Sequence, residues 1–191
     1  MSFSPQSLPD SSPAADAAPL AQRVRAALRD VPDFPRPGIL FKDITPVLAD
    51  PRLFAAVVEH MAARWQGRGI DVVAGIESRG FIFAAPLALR LGCAFLPVRK
   101  PGKLPFRTVS VEYALEYGTD RLEAHEDGIV SGARVLIVDD VLATGGTASA
   151  TAQLVQRLGG TVAGAVFLLE LGFLKGSERL AGIPMDVLVT A

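Results

Sequence analysis

Four consecutive aliphatic residues, Val135, Leu136, Ile137 and Val138, are followed by two acids, Asp139 and Asp140, and then by the small, polar stretch Ala143-Thr144-Gly145-Gly146-Thr147. The aliphatic run predicts a strand buried on both faces, as in a parallel sheet, with the acids at its end. Past the glycines, Ala150, Leu154 and Leu158 recur at helical spacing and predict a helix with one apolar face. The local order is therefore strand, acidic pair, glycine-rich turn, helix.

The same alternation runs through most of the chain. Leu20, Val24 and Leu28 predict a first helix to about Arg29, and the segment punctuated by Pro32, Pro35 and Pro37 should be irregular, packed by Phe34 and Phe41. Asp50 and Pro51 read as an N-cap and first-turn pair. The helix they open would carry Phe54, Val57, Val58, Met61 and Trp65 on one face and end at Gly67 and Gly69, with Trp65 in the core. Val72 to Ile76 is the next strand. A helix from Gly80 to Leu91 follows, disturbed at Pro86, and then a strand from Ala94 to Val98. Arg99 to Arg107 reads as a polar loop, and Thr108 to Leu115 with Asp120 to Ala124 as a two-stranded flap. Val162 to Leu169 and Met185 to Val189 are further strands, with a helix near Leu174 to Leu180 between them. This pattern predicts an α/β fold, a doubly wound, mostly parallel sheet flanked by helices. Ligands of such sheets sit beyond the carboxyl ends of the strands. Glu77, Arg99 and Asp139 all fall at such ends and should share one edge.

With 191 residues, the chain fits one domain over 20–191, preceded by a Ser/Pro/Ala-rich extension over 1–19 that reads as flexible. A net charge of −1 gives no sign of a nucleic-acid or membrane-surface partner. The single cysteine, Cys93, excludes an internal disulfide and reads as a small buried hydrophobe. No stretch approaches a membrane span or a secretory leader, so the cytoplasm is the expected compartment. His60 and His125 stand at no ligand spacing and beside no nucleophile.

The candidate chemistry follows from the signature stretch. N–H groups at a helix start bind phosphate, and glycine lets the backbone come close. Two aspartates cannot face a phosphate directly; they suit ribose hydroxyls or a Mg²⁺ shell. A phosphorylated sugar satisfies both halves. The stretch lacks the lysine of a nucleotide P-loop and the glycine spacing of a dinucleotide fold. Glu77-Ser78-Arg79-Gly80 is a second strand-to-helix turn, able to hold a second anion or only to form a structural ion pair. Arg99, Lys100 and Lys103 make a basic loop, which is either a solvated face or a further anion contact.

Residues 135–147, VLIVDDVLATGGT, resemble the ribose-5-phosphate signature of the type I phosphoribosyltransferases. Three further segments, FPRPGILFKDITPVL (34–48), GIESRGF (75–81) and RKPGKLP (99–105), narrow the resemblance to the adenine phosphoribosyltransferases of that family, and EYALEYG (112–118) fits it too. The resemblance implies transfer of 5-phosphoribosyl from 5-phosphoribosyl-1-pyrophosphate to adenine, giving AMP and pyrophosphate, with Mg²⁺ as cofactor, in a homodimer. It implies that Ala143, Thr144, Gly145, Gly146 and Thr147 hold the 5′-phosphate and that Asp139 and Asp140 hold the ribose hydroxyls, with no direct protein ligand to the metal. Glu77, Ser78, Arg79, Arg99 and Lys103 would hold pyrophosphate, Arg99 and Lys103 on a loop that reaches toward it partly from a neighbouring subunit. A non-proline cis peptide is implied at Glu77–Ser78. A hood over about 31–48 would bind adenine through Leu40, Phe41 and Lys42. In a flap over about 105–125, Glu116 would handle the adenine proton and Tyr117 would close over the site. Two alternatives stand beside this reading. One is a sister enzyme for another base, against which the hood segment argues. The other is a sensor of the activated sugar that regulates transcription, against which the lack of a basic DNA-reading segment argues.

Overall fold

Five parallel strands form the central sheet of the protein, a computed structural model that describes residues 18–114 and 119–191. Contacts divide the chain into two units, Met1–Val57 and Val58–Ala191. In the first, α1 (Leu20–Ala27) leads into an antiparallel hairpin of β1 (Arg29–Pro32) and β2 (Leu40–Asp43), followed by a short α2 (Thr45–Ala49). The expected irregular segment is thus framed by paired strands, and Arg29 belongs to β1 rather than to the first helix. Pairing across the proline-rich loop, which no local pattern announces, makes the difference. The Phe34 and Phe41 rings meet edge to face at 5.1 Å, as expected of the packing there.

Helix α3 (Pro51–Trp65) begins as its sequence dictates. Asp50 Oδ1 accepts the N–H groups of Arg52 and Leu53 at 2.9 and 3.0 Å, satisfying two donors that a helix start leaves open. Its end is released by Gly67 and Gly69, both at positive φ.

The second unit carries the sheet, in the order β4-β3-β7-β8-β9. These strands are β3 (Val72–Ile76), β4 (Ala94–Val98), β7 (Arg134–Leu142), β8 (Thr161–Glu170) and β9 (Met185–Thr190). The chain steps outward from β3 to β4, then returns to β7 on the other side of β3 and proceeds outward again. The order therefore reverses between β3 and β7, the switch point at which open α/β sheets place their ligands. Helix α4 (Gly80–Leu91) connects β3 to β4, and α5 (Gly146–Arg157) connects β7 to β8. The α5 face of the sheet is closed by Ala74, Leu96, Val135, Leu154 and Val155, with a second cluster around Ile137, Phe167 and Leu180. On the other face, Gly75 lies so close to α4 that a Cβ there would meet Ala84 Cβ at 2.7 Å. Helix α4 runs from Gly80 to Leu91 as expected, with Pro86 inside it. Its buried stripe of Phe83, Ala84, Leu87 and Ala88 holds it against the sheet, and the ring removes only one internal N–H.

Strands β5 (Thr108–Ala114) and β6 (Thr119–His125) form the expected two-stranded flap. Its base is part of the core: Val111, Leu122 and Ala124 are each at most 1% exposed. Between β8 and β9 the expected helix is replaced by two 3-10 turns, Gly172–Leu174 and Gly176–Leu180. Only Gly176 and Leu180 are buried there, so no apolar stripe exists to hold a full helix. Cys93 is half-buried rather than buried; its thiol donates to Ala88 O at 3.7 Å, and burial pushes its pKa up.

Trp65 is 3% exposed, in the core as its spacing predicts. A Cβ on Gly164 would lie 1.9 Å from Trp65 Cη2 and 2.8 Å from Pro184 O. Gly164→Ala therefore overpacks a rigid ring against backbone, a change that costs about 1–3 kcal/mol or more. We expect its thermal midpoint to fall by about 2–4 °C for each kcal/mol in a chain of this size. Trp65 is the only tryptophan, so its fluorescence reads the transition directly. An unchanged midpoint would mean that the ring moves without cost.

Candidate active site

The acids lie inside β7 rather than at its end. Asp139 stands opposite Phe167, and pairing with β8 continues to Leu142 opposite Glu170. Asp140 is 3% exposed, and its Oδ2 lies 2.7 Å from Arg79 Nε. That oxygen is buried, and its partner among the described residues is the Arg79 guanidinium. Asp139 Oδ1 accepts the Asp140 N–H at 2.9 Å. Burial, reinforced by the neighbouring Asp140 charge, pushes the Asp139 carboxyl well above the usual carboxylate range. Burial raises Asp140 as well, with Arg79 as the main opposing influence. Both groups gain from donors brought by a ligand. Gly80 makes room for this pair: a Cβ there would lie 2.8 Å from Val138 O and 2.9 Å from Asp139 Oδ1.

Beyond the acids the chain turns into α5. Gly145 takes φ 77° as its N-cap, a conformation that glycine adopts at no steric cost. The first hydrogen bond of the α5 ladder is from Ser149 N–H to Gly145 O, at 2.9 Å. The N–H groups ahead of it are the open donors of a helix start, which bind anions. A small pocket opens here, lined by Asp139 and Val141 of β7, by Ala143, Thr144, Gly145 and Thr147 of the turn, and by Leu142 and Ala148. Gly146 is buried behind it. The back of the turn rests on the second 3-10 segment, where a Cβ on Gly176 would lie 2.2 Å from Ala143 O. A larger hollow of about 480 Å³, lined by Asp71, Ala94, Asp127 and Ser131 among others, lies at the opposite end of the strands and holds none of the candidate residues. Its size does not outweigh the chemistry at the carboxyl ends.

The β3–α4 turn completes the edge. The Glu77–Ser78 peptide is cis, as the resemblance implies. Glu77 Oε2 accepts Arg99 Nε at 3.1 Å and the Lys100 N–H at 2.9 Å. Burial pushes the Glu77 carboxyl up, but these two donors outweigh it and hold the group below the usual range. Arg99 is thus engaged by Glu77 and by Lys103 O at 3.2 Å, while the Lys103 side chain and Ser78 are exposed. Glu77 and Arg79 follow β3, Arg99 follows β4, and Asp139 and Asp140 lie within β7; these strands are adjacent, so the five residues share the edge that the sequence marks out.

Leu40, Phe41 and Lys42 lie on β2 of the first unit, with Lys42 Nζ 2.6 Å from Asp30 Oδ1 and Leu40 exposed. Glu116 and Tyr117 lie outside the described residues, as do residues 1–17 of the extension. Sequence reasoning misses Gly176, and it misses the group formed by Lys100, Tyr113 and Asp120, in which Tyr113 O–H donates to Asp120 Oδ2 at 3.1 Å. One signal for the second was available, since Tyr113 and Asp120 face each other across a short hairpin.

Among the described residues no helix is long and apolar enough to cross a membrane, and no group of three or more His, Cys, Asp or Glu is placed to hold a metal ion. Residues 45–181 match the model of the phosphoribosyl transferase domain. Over 171 residues the chain is 58% identical to an adenine phosphoribosyltransferase of Myxococcus xanthus, covering 90% of this chain and 93% of that protein. The crystal structure of adenine phosphoribosyltransferase from Thermoanaerobacter pseudethanolicus superposes with a TM-score of 0.87 at 53% identity, covering 90% and 99% of the two chains. The Saccharomyces cerevisiae enzyme, complexed with an imino-altritol bisphosphate and adenine, gives a TM-score of 0.83 at 41% identity over 88% and 98%.

Proposed function

We infer the work of this site from one premise: the chain belongs to the phosphoribosyl transferase family, in its adenine phosphoribosyltransferase branch. It transfers 5-phosphoribosyl from 5-phosphoribosyl-1-pyrophosphate to adenine, giving AMP and pyrophosphate, a purine-salvage reaction. The bond from the anomeric carbon to the diphosphate oxygen breaks, the bond to an adenine nitrogen forms, and adenine releases a proton. The observation that carries the assignment of roles is the pocket shared by Asp139 and the N-terminal turn of α5.

In this reading the open N–H groups and hydroxyls of Ala143 to Thr147 take the 5′-phosphate. The ribose hydroxyls donate to the Asp139 and Asp140 carboxylates, Asp140 being held by Arg79. Arg79, held beside Asp140 at the start of α4, faces the departing diphosphate together with the Ser78 turn, Arg99 and Lys103. Glu77 sets the position of Arg99 rather than touching the anion itself. Leu40, Phe41 and Lys42 hold adenine, Glu116 accepts its proton, and Tyr117 covers the site. Catalysis is then chiefly positioning and stabilisation of leaving-group charge.

Mg²⁺ fits this donor set as an ion that arrives with the diphosphate. The described chain offers no carboxylate cage, and Mg²⁺ characteristically keeps water and phosphate oxygens as ligands. Bound there it neutralises the leaving group, with Asp139 and Asp140 nearby as hydroxyl acceptors. The enzyme works in the cytoplasm as a homodimer. Ile82 and Leu89 on α4 and Phe95 on edge strand β4 are exposed apolar residues that support a second copy at that edge.

The test is AMP formation from adenine and the activated sugar, with and without Mg²⁺, against guanine, xanthine and uracil as competing bases. AMP should form with adenine alone and depend on the metal. Turnover of another base at equal rate would overturn the base assignment.

A further inference from the structure

The β5–β6 hairpin is anchored at its base by several separate bonds, one pair of them between main chains. Arg99 and Glu123 exchange backbone hydrogen bonds at 2.9 and 2.8 Å, Gly102 N–H reaches Glu123 Oε2 at 3.2 Å, and Arg157 Nη1 donates to Ser110 O at 2.7 Å. Its far end is held differently. Lys100 Nζ donates to Tyr113 OH at 2.8 Å and to Asp120, and it lies 5.4 Å from the Tyr113 ring centre. Tyr113 pairs with Asp120 next to the last described pair, Ala114 with Thr119. The same Lys100 gives its backbone N–H to Glu77 Oε2, in the turn beside Arg79. One residue thus touches the anion-binding turn through its backbone and the distal hairpin through its ammonium.

We propose that Lys100, through Asp120 and Tyr113, is a positioning residue that ties the far end of the hairpin to the Glu77 turn during phosphoribosyl transfer. The inference rests on the function proposed above. Its ammonium serves the protein rather than the diphosphate. Mutual support is visible in the charges: the bond from Lys100 holds Asp120 below the usual carboxylate range, and the bonds to Asp120 and Tyr113 raise Lys100 against the opposing effect of burial.

The test compares Lys100→Met, Asp120→Asn, the double variant and Lys100→Arg, each checked for an unchanged thermal midpoint. A tie predicts that Asp120→Asn reproduces Lys100→Met. Each should lower kcat roughly tenfold, the scale of a modest misplacement of reacting groups, with KM for the activated sugar and inhibition by pyrophosphate within about twofold of wild type. The double variant should be no worse than either single one, and Lys100→Arg should recover most of the loss. A wild-type kcat in Asp120→Asn beside a damaged Lys100→Met would place the ammonium on the substrate and overturn the tie, as would additive losses or weakened pyrophosphate inhibition in Lys100→Met alone. A wild-type protein that forms no AMP would instead overturn the functional reading beneath it.

Discussion

Replacing Asp139 and Asp140 together with asparagine will lower turnover by roughly 100-fold or more, the scale for removing a preorganised electrostatic contact. Asparagine keeps the shape and one acceptor oxygen, so the loss isolates charge. In the proposed roles the ribose hydroxyls lose charged acceptors, and Arg79 loses the charge of its 2.7 Å partner at Asp140. A second readout separates this role from a structural one. The Asp139 carboxyl is raised well above its ordinary value near 4, by burial first and by Asp140 second. The folded protein therefore binds that proton more tightly than the unfolded chain does. As pH rises from about 4 through the folded value, the unfolded state ionises first and stability falls; above that value the loss is complete. Asp139→Asn removes the ionisation and should melt at a higher temperature than wild type at pH 7, with the gap closing toward pH 4. Activity lost while stability is gained is the signature of a residue kept for function. Thermal midpoints from pH 4 to 8, with kcat for the single and double variants, decide the matter. Near-normal kinetics in the double variant would remove the acids from the reaction.

How much of this was legible in the sequence depends on the range of the interaction. Val135 to Val138, Val72 to Ile76 and Ala94 to Val98 are strands because short aliphatic runs bounded by polar turns have few other fates. The N-cap at Asp50 is equally local. The end of β7 is not: pairing with β8 carries it to Leu142, so the acids sit within the strand. The 3-10 turns between β8 and β9 were only weakly legible: Leu174 to Leu180 contain Gly176 and no apolar stripe, which argues against a helix, but the 3-10 form follows from what they pack on. In the site, residue types were readable and partners were not. Arg99 reads as a cation for an anion, yet its Nε is held by Glu77, 22 positions away, because β3 and β4 are adjacent. Lys100 reads as part of the same basic run, yet it faces the hairpin.

Gly176→Ala will raise KM for the activated sugar roughly 10- to 100-fold, with KM for adenine little changed. The substitution is informative because its cause is purely steric. Gly176 does not stand at positive φ, so alanine tolerates its backbone, unlike Gly145 at φ 77°. The new methyl would lie 2.2 Å from Ala143 O and 2.9 Å from Gly145 N. Both are main-chain atoms that cannot rotate aside, so the glycine-rich turn or the 3-10 segment must move. The segment is held by Leu180, 1% exposed in the core against the sheet, whereas the turn faces a pocket. The turn should yield, carrying its N–H groups away from the proposed phosphate position. Losing one charge-assisted hydrogen bond costs about 1.5–3 kcal/mol, which is the stated range in affinity. Ribose 5-phosphate binding measured by calorimetry tests this without turnover, and Trp65 fluorescence reports whether the fold survives. If the variant binds ribose 5-phosphate as tightly as wild type, the 3-10 segment does not shape the turn; if binding weakens while the melting transition holds, a residue thirty positions beyond the glycine-rich stretch sets the geometry of the phosphate site.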